Sequence, residues 1–167
     1  MQARKQQFKV GDKAVYPAQG VAEVISIEEK DIAGNRQLFY VLRLLDGDKK
    51  KKIMVPVMKA PSVLRAPIAD KGIREVYAIL KEKVIAFDNQ TWNRRYRGFR
   101  EKIDTGSIYD VAEVMRDLCV LKKDKALSFG ERKMLEEARN LVVKELAVAQ
   151  KKPEEKVQAQ IDKIFAS

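Results

Sequence analysis

The sequence predicts an α+β chain of two domains: a small, strongly bent antiparallel β-barrel followed by an all-α helical bundle of about five helices. Three observations carry this. Up to Val57 the chain consists of short β-branched and aromatic segments broken by tight turns, with no helical period among them. From Asp70 onward, apolar residues recur at i, i+3, i+4 and i+7. Between the two regimes stand Pro56, Pro61 and Pro67, which interrupt either kind of element. Strands followed by helices indicate α+β architecture or separate domains, and 167 residues suffice for two small ones. The boundaries are set at residues 1–60, a linker at 61–69 and a helical domain at 70–167.

Residues 1–7 are polar and are expected to fray. Five strand signals follow. Phe8–Val10 enters a first short strand, the Gly11-Asp12 turn leads to a second that Pro17 stops, and Val21–Glu28 alternates with high β-branched content. After a turn at Ala33-Gly34-Asn35, residues 37–45 place Phe39, Val41, Arg43 and Leu45 on one face and Leu38, Tyr40, Leu42 and Leu44 on the other. Both faces are largely apolar, as in a strand shared by a barrel interior and a covering surface. Asp46-Gly47-Asp48 forms a hairpin turn, and residues 52–57 return as the last strand. Such a module keeps an open edge, and the run Lys49-Lys50-Lys51-Lys52 reads as an edge mask, a solvated hairpin tip or a phosphate contact.

In the helical part, Ile73, Val76, Tyr77, Leu80 and Val84 form one stripe, with Asp70 as N-cap. The segment 86–90 breaks the pattern. A second helix, capped by Asn89 or Thr91, ends near Thr105-Gly106. Ser107-Ile108-Tyr109-Asp110 resembles a capping box for the third, and Ser128-Phe129-Gly130-Glu131 is a cleaner one for a long fourth. Pro153 suits the first turn of a fifth, which carries Val157, Ile161, Ile164 and Phe165.

Composition narrows the function classes. Lys and Arg outnumber Asp and Glu by 34 to 24, a net charge of +10, which favours a polyanionic partner. There is no histidine, so Ser-His-Asp and Cys-His sites cannot be built, and ordinary Cys/His zinc ligation is excluded. No glycine-rich phosphate loop appears and no acidic pair stands out, so no catalytic residue, metal, cofactor or small-molecule ligand is expected. The lone Cys119 precludes an intramolecular disulfide and reads as a small core residue. No apolar run is long enough to span a bilayer and no leader is evident, so the expectation is a cytoplasmic protein with no membrane partner.

The most informative stretch is Thr91-Trp92-Asn93-Arg94-Arg95-Tyr96-Arg97, which holds the only tryptophan. Two readings apply. Tyr96, Phe99 and Ile103 lie within about 40° of Trp92 at 100° per residue, the buried stripe of an amphipathic helix. Equally, a flat ring at a helix entrance with guanidinium groups behind it suits nucleic acid, the ring wedging at an opened base step and the cations meeting phosphates. Arg94 and Arg97 face away from the stripe, and Arg95 and Arg100 flank it. Glu101 is the only acid on the helix before Asp104, so a solvated face of mixed sign is not available and an approaching anion is indicated. No helix-turn-helix spacing accompanies it, so sequence-specific readout has no support.

Four separated segments stand out together: Phe8-Lys9-Val10-Gly11-Asp12 with Val15-Tyr16-Pro17 and Gly20; Trp92-Asn93-Arg94-Arg95-Tyr96; residues 112–118; and residues 127–135. In these segments the chain resembles the CarD/CdnL family of bacterial RNA polymerase-binding transcription regulators. The likeness runs in order from Phe8 to Phe165 and is nearest the stand-alone CdnL branch, since no extra DNA-binding tail follows the last helix. The resemblance implies a Tudor-like (SH3-like) N-terminal barrel that binds the RNA polymerase β subunit, with Lys30, Met54 and Pro56 at the contact. It implies a helical domain on promoter DNA at the upstream edge of the bubble. There Trp92 wedges into the minor groove and stabilises the open complex, with Arg94, Arg95 and Arg97 on the backbone. Some relatives carry arginine where this chain has Lys30 and Met54; the exchange removes bidentate pairing at one and charge at the other, and points to a more apolar polymerase contact. A monomer in the functional complex and association with the nucleoid through polymerase are expected. The rivals are a non-specific nucleoid or RNA-binding protein, and a protein-interaction adaptor whose basic helix meets an acidic surface.

Overall fold

The computed structural model describes residues 7–45, 51–82 and 92–166. It resolves into two compact units, residues 1–67 and 68–167. The predicted turn at 46–48, lysines 49 and 50 and the predicted caps at 89 and 91 lie outside the described residues.

The first unit is a meander of strands β1 (Lys13–Tyr16), β2 (Gly20–Ile32), β3 (Asn35–Leu44) and β4 (Lys52–Pro56), antiparallel in the order β1-β2-β3-β4, followed by a short helix α1 (Ala60–Val63). The sheet curls into a half-barrel. Two features bend it: a register shift between Val24 and Ser26 on β2, and Gly20, whose φ of 106° turns the chain into β2 in a region that only glycine enters without strain. The concave face buries Tyr40, Leu42, Val24, Ala22 and Val55 with Ala60 and Leu64 from the following segment. Arg65 closes part of the β1 edge by exchanging two backbone hydrogen bonds with Val15, at 2.7 and 3.1 Å.

Of the five strand signals, Phe8–Val10 is not a strand. Gly11 takes φ 94°, the Asp12 N–H donates to the Lys9 carbonyl, and the Lys9 N–H donates to Asp12 Oδ2 at 2.8 Å, so the chain curls where a ladder would need it straight. The segment is held instead by Phe8. Its backbone N–H donates to the Tyr40 hydroxyl at 3.1 Å, and its ring meets that of Tyr40 edge-on, centroids 5.7 Å apart. Such a ring pair contributes about 0.5–1.5 kcal/mol beyond its buried area.

The second unit contains α2 (Asp70–Lys81), α3 (Trp92–Asp104), α4 (Ile108–Asp124), α5 (Phe129–Gln150) and α6 (Glu154–Ala166). Ile103, Met115, Leu118, Leu146 and Ile161 are fully buried at its centre. Gly72 lets α2 approach α4: a Cβ there would lie 2.6 Å from the Tyr109 hydroxyl and 2.9 Å from the Ile68 Cβ. Residues 61–69, expected as a linker, are engaged locally. Pro61–Val63 belong to α1, Arg65 pairs with Val15, and the Ile68 N–H donates to the buried Glu145 carboxylate at 3.0 Å.

The caps divide. Ser128 and Glu131 form a reciprocal capping box at α5. Ser107 stands at the N-cap of α4 without a side-chain cap bond, because Thr105 intervenes: its hydroxyl donates to Asp110 Oδ2 at 2.8 Å and accepts the Ser107 N–H at 3.1 Å. Asp70 is the first residue of α2 rather than its cap, a position occupied by Ala69; its carboxylate acts there through the helix dipole.

Candidate nucleic-acid interface

Helix α3 begins at Trp92, and its described apolar contacts with the core are made from Phe99 onward. Phe99 and Ile103 are buried in the bundle core, while Tyr96, expected to share their stripe, keeps 40% of its surface exposed. Among the described residues of the stripe, burial is therefore complete only from Phe99 on. The reason lies in how α3 meets α5. Arg95 pairs with Glu131, Nη2 to Oε2 3.6 Å. Arg100 makes two 2.8 Å hydrogen bonds to the carboxylate of Glu137 and two to Asp104 Oδ1. Both inter-helix pairs step the same way, so α3 and α5 run parallel and their N-termini share one end of the bundle. Arg95 sits level with the first turn of α5. The side chains of Trp92 and Asn93 lie outside the described residues.

The four arginines of α3 thus part into two pairs. Arg95 and Arg100, on the flanks of the stripe, hold carboxylates of α5. The salt bridges and hydrogen bonds to Glu137, together with Asp104, hold the Arg100 guanidinium more firmly protonated than an ordinary arginine. Arg94 and Arg97, on the opposite side, are exposed and have no ion-pair partner among the described residues. The acids that tie down Arg95 and Arg100 come from another helix and are invisible to a reading of α3 alone.

The same end of the bundle carries a group that sequence reasoning missed. Phe129, the first residue of α5, is 66% exposed, and the Lys133 ammonium sits 4.8 Å from its ring centroid. Arg132 and Lys125 are exposed nearby in sequence. The signal was present, since a large apolar residue at the first position of a capped helix, ahead of the core stripe, has no partner in the helix period.

In the first unit, cross-strand register gathers the three polymerase-contact residues that the resemblance implied. Ser26, Val41 and Met54 lie abreast on β2, β3 and β4; so do Glu28, Phe39 and Pro56; Lys30 pairs with Gln37. Residues abreast in an antiparallel sheet point to one face, so Lys30, Met54 and Pro56 share the face opposite Tyr40 and Val55. Lys30 is exposed, Met54 is 38% exposed and Pro56 is half-buried.

Two family models match the chain: the CarD-like/TRCF RID domain over residues 8–68 and the CarD C-terminal domain over residues 75–162. Together they define a class of transcription regulator with an RNA polymerase-interacting domain ahead of a helical one. YdeB of Bacillus subtilis (strain 168), which carries a provisional designation as a transcription factor, is 36% identical over 149 residues, 84% of this chain and 91% of that protein. CdnLNt from Myxococcus xanthus, a solved structure, shares 49% identity over 42% of this chain and 97% of its own, with a TM-score of 0.32. The chain belongs to the CarD/CdnL family. That family is one of transcription factors rather than a known enzyme class. Among the described residues no group of His, Cys, Asp or Glu could hold a metal ion, and no helix is long and apolar enough to cross a membrane.

Proposed function

We propose that this protein stabilises the promoter open complex, with its first unit on the RNA polymerase β subunit and its helical unit on DNA at the upstream edge of the bubble. The observation that carries the reading is the division on α3. Phe99 and Ile103 anchor the helix, while Arg94 and Arg97 face solvent behind the entrance residue Trp92. Two exposed guanidinium groups supply sequence-independent phosphate contacts, and an aromatic ring at a helix tip supplies a wedge for an unstacked base step. Phe129 with Lys133 extends the same basic and aromatic end. The polymerase contact is assigned to the sheet face bearing Lys30, Met54 and Pro56, with Met54 giving it an apolar character.

The mechanism requires no bond to be made or broken. Tethering to polymerase raises the local concentration of the helical unit at the promoter, so its own DNA affinity can be weak. Because Trp92 engages only opened DNA, binding favours the open state, and a preference of about 1.4 kcal/mol shifts the equilibrium tenfold. Trp92→Ala is expected to retain binding to polymerase and to shorten the open-complex lifetime by about tenfold or less. A lifetime equal to that of the unaltered protein in a promoter-melting assay would remove the wedge.

Crosslinking to a fork-junction promoter separates this reading from its rivals. The regulator requires polymerase and DNA together, a nucleoid protein requires DNA alone, and an adaptor requires neither.

A further inference from the structure

One carboxylate at the entrance of α3 serves two helices. Glu131 is 2% exposed. Its Oε1 accepts the Ser128 N–H at 2.9 Å, and its own N–H donates to Ser128 Oγ at 3.2 Å, which fixes the side chain rigidly on α5. Its Oε2 faces Arg95 Nη2 at 3.6 Å, close enough for an ion pair but too long for a hydrogen bond. Among the described residues, Glu131 Oε2 and Arg95 Nε are both buried without a hydrogen-bond partner. Each therefore depends on the other's charge. Removing either strands its partner in a poorly solvated place, which is where a paired charge matters most. Arg95 lies three residues after Trp92, less than one helical turn. Upstream of Phe99 it forms the ion pair that ties α3 to α5 among the described residues.

We infer that Glu131 is a positioning residue: through Arg95 it fixes the first turn of α3, the turn from which Trp92 issues. The inference rests on the wedge reading of Trp92 and adds to it a different role for Arg95, which holds the helix entrance to α5 rather than a phosphate. The rigid partner is the acid, pinned by its cap bonds, and the arginine is the element it orients, as a supporting shell orients a binding group. Burial alone would make Glu131 a weaker acid, but the Ser128 N–H and hydroxyl, Lys125 and Arg95 outweigh it and hold the carboxyl below its ordinary range. The charge is accordingly present throughout the neutral region.

The test uses the full-length protein. Glu131→Gln keeps the α5 cap, since an amide oxygen accepts the Ser128 N–H equally well, but removes the charge opposite Arg95. Arg95→Met keeps the apolar stem and removes the other charge. Trp92 is the only tryptophan, so emission reports that residue alone. Both variants are expected to retain helical circular dichroism, to raise acrylamide quenching of Trp92 in the free protein, and to shorten the open-complex lifetime by about threefold. The double variant is expected to be no worse than either single one, and Arg95→Lys to recover part of both losses. Unchanged quenching in both variants, or losses that multiply in the double variant, would overturn the proposal. So would a fall of about one unit in the salt dependence of DNA binding for Arg95→Met, with Glu131→Gln unchanged; that result makes Arg95 a phosphate contact. Raised quenching in both variants, with an unaltered lifetime in them and in Trp92→Ala, would support the positioning and sink the wedge.

Discussion

Within two turns of α3, four arginines have two kinds of work, and the kind is set by angle around the helix. Arg94 and Arg97 project from the side opposite Phe99 and Ile103, so replacing them leaves the bundle intact. Arg94→Ala and Arg97→Ala are each expected to flatten the salt dependence of DNA association by just under one unit per lost phosphate contact, with thermal stability unchanged. A salt slope equal to the parent's would show these side chains to be merely solvated. Angular position was legible in the sequence, because 100° per residue needs no tertiary information. What was not legible was that Arg95 and Arg100 already have acids, since Glu131 and Glu137 belong to a helix that begins some thirty residues later. Glu131 also sets a pH dependence. Its folded-state acidity is strengthened by Ser128, Lys125 and Arg95 against the opposing effect of burial. It therefore contributes stability that is complete above the ordinary glutamate range and is lost as pH falls through that range and the depressed folded value. Acid titration of stability, followed by circular dichroism, is expected to fall less steeply in Glu131→Gln.

Helix ends show the next scale. Ser128 and Glu131 close their box within four residues, so the motif and the structure coincide; Ser128→Ala is expected to cost about 1 kcal/mol of stability. That corresponds to a fall of roughly 4–8 °C in the melting temperature of a unit this size. Ser107→Ala is expected to cost much less, because the Ser107 side chain makes no cap bond and Thr105 holds Asp110 instead. Equal losses at the two serines, by thermal melting, would contradict that assignment. The sequence pattern at Ser107 was the same in kind, but a competing hydroxyl two residues upstream is part of no capping motif. Phe8–Val10 failed as a strand for a similar reason: the β-favouring residues are real, yet the Gly11 turn and the Lys9–Asp12 bond take the backbone elsewhere. Where an element is decided by contacts inside it, periodicity suffices; where a neighbour competes for its polar groups, it does not.

Across the whole molecule, each unit has its own buried core, one around Tyr40 and Leu42 and the other around Met115 and Leu146. Units with separate cores respond separately to surface substitutions. Met54→Asp is expected to abolish pull-down of the polymerase β subunit while the circular dichroism spectrum and the DNA affinity of the helical unit persist; retained pull-down would move the contact to another face. The order of strands before helices came through plainly from the switch of hydrophobic period at Asp70. The gathering of Lys30, Met54 and Pro56 on one face did not, because it depends on the register shift between Val24 and Ser26. One detail of the sheet reaches further. Arg65 occupies the outer side of β1 at Val15, and among the described residues no strand lies on the outer side of β4. Among the described residues the β4 rim is thus the more open of the two, so a second copy and a foreign strand would compete for the same row of amides. A pairing of two copies through their β4 rims would be isologous, each copy covering the open row of the other.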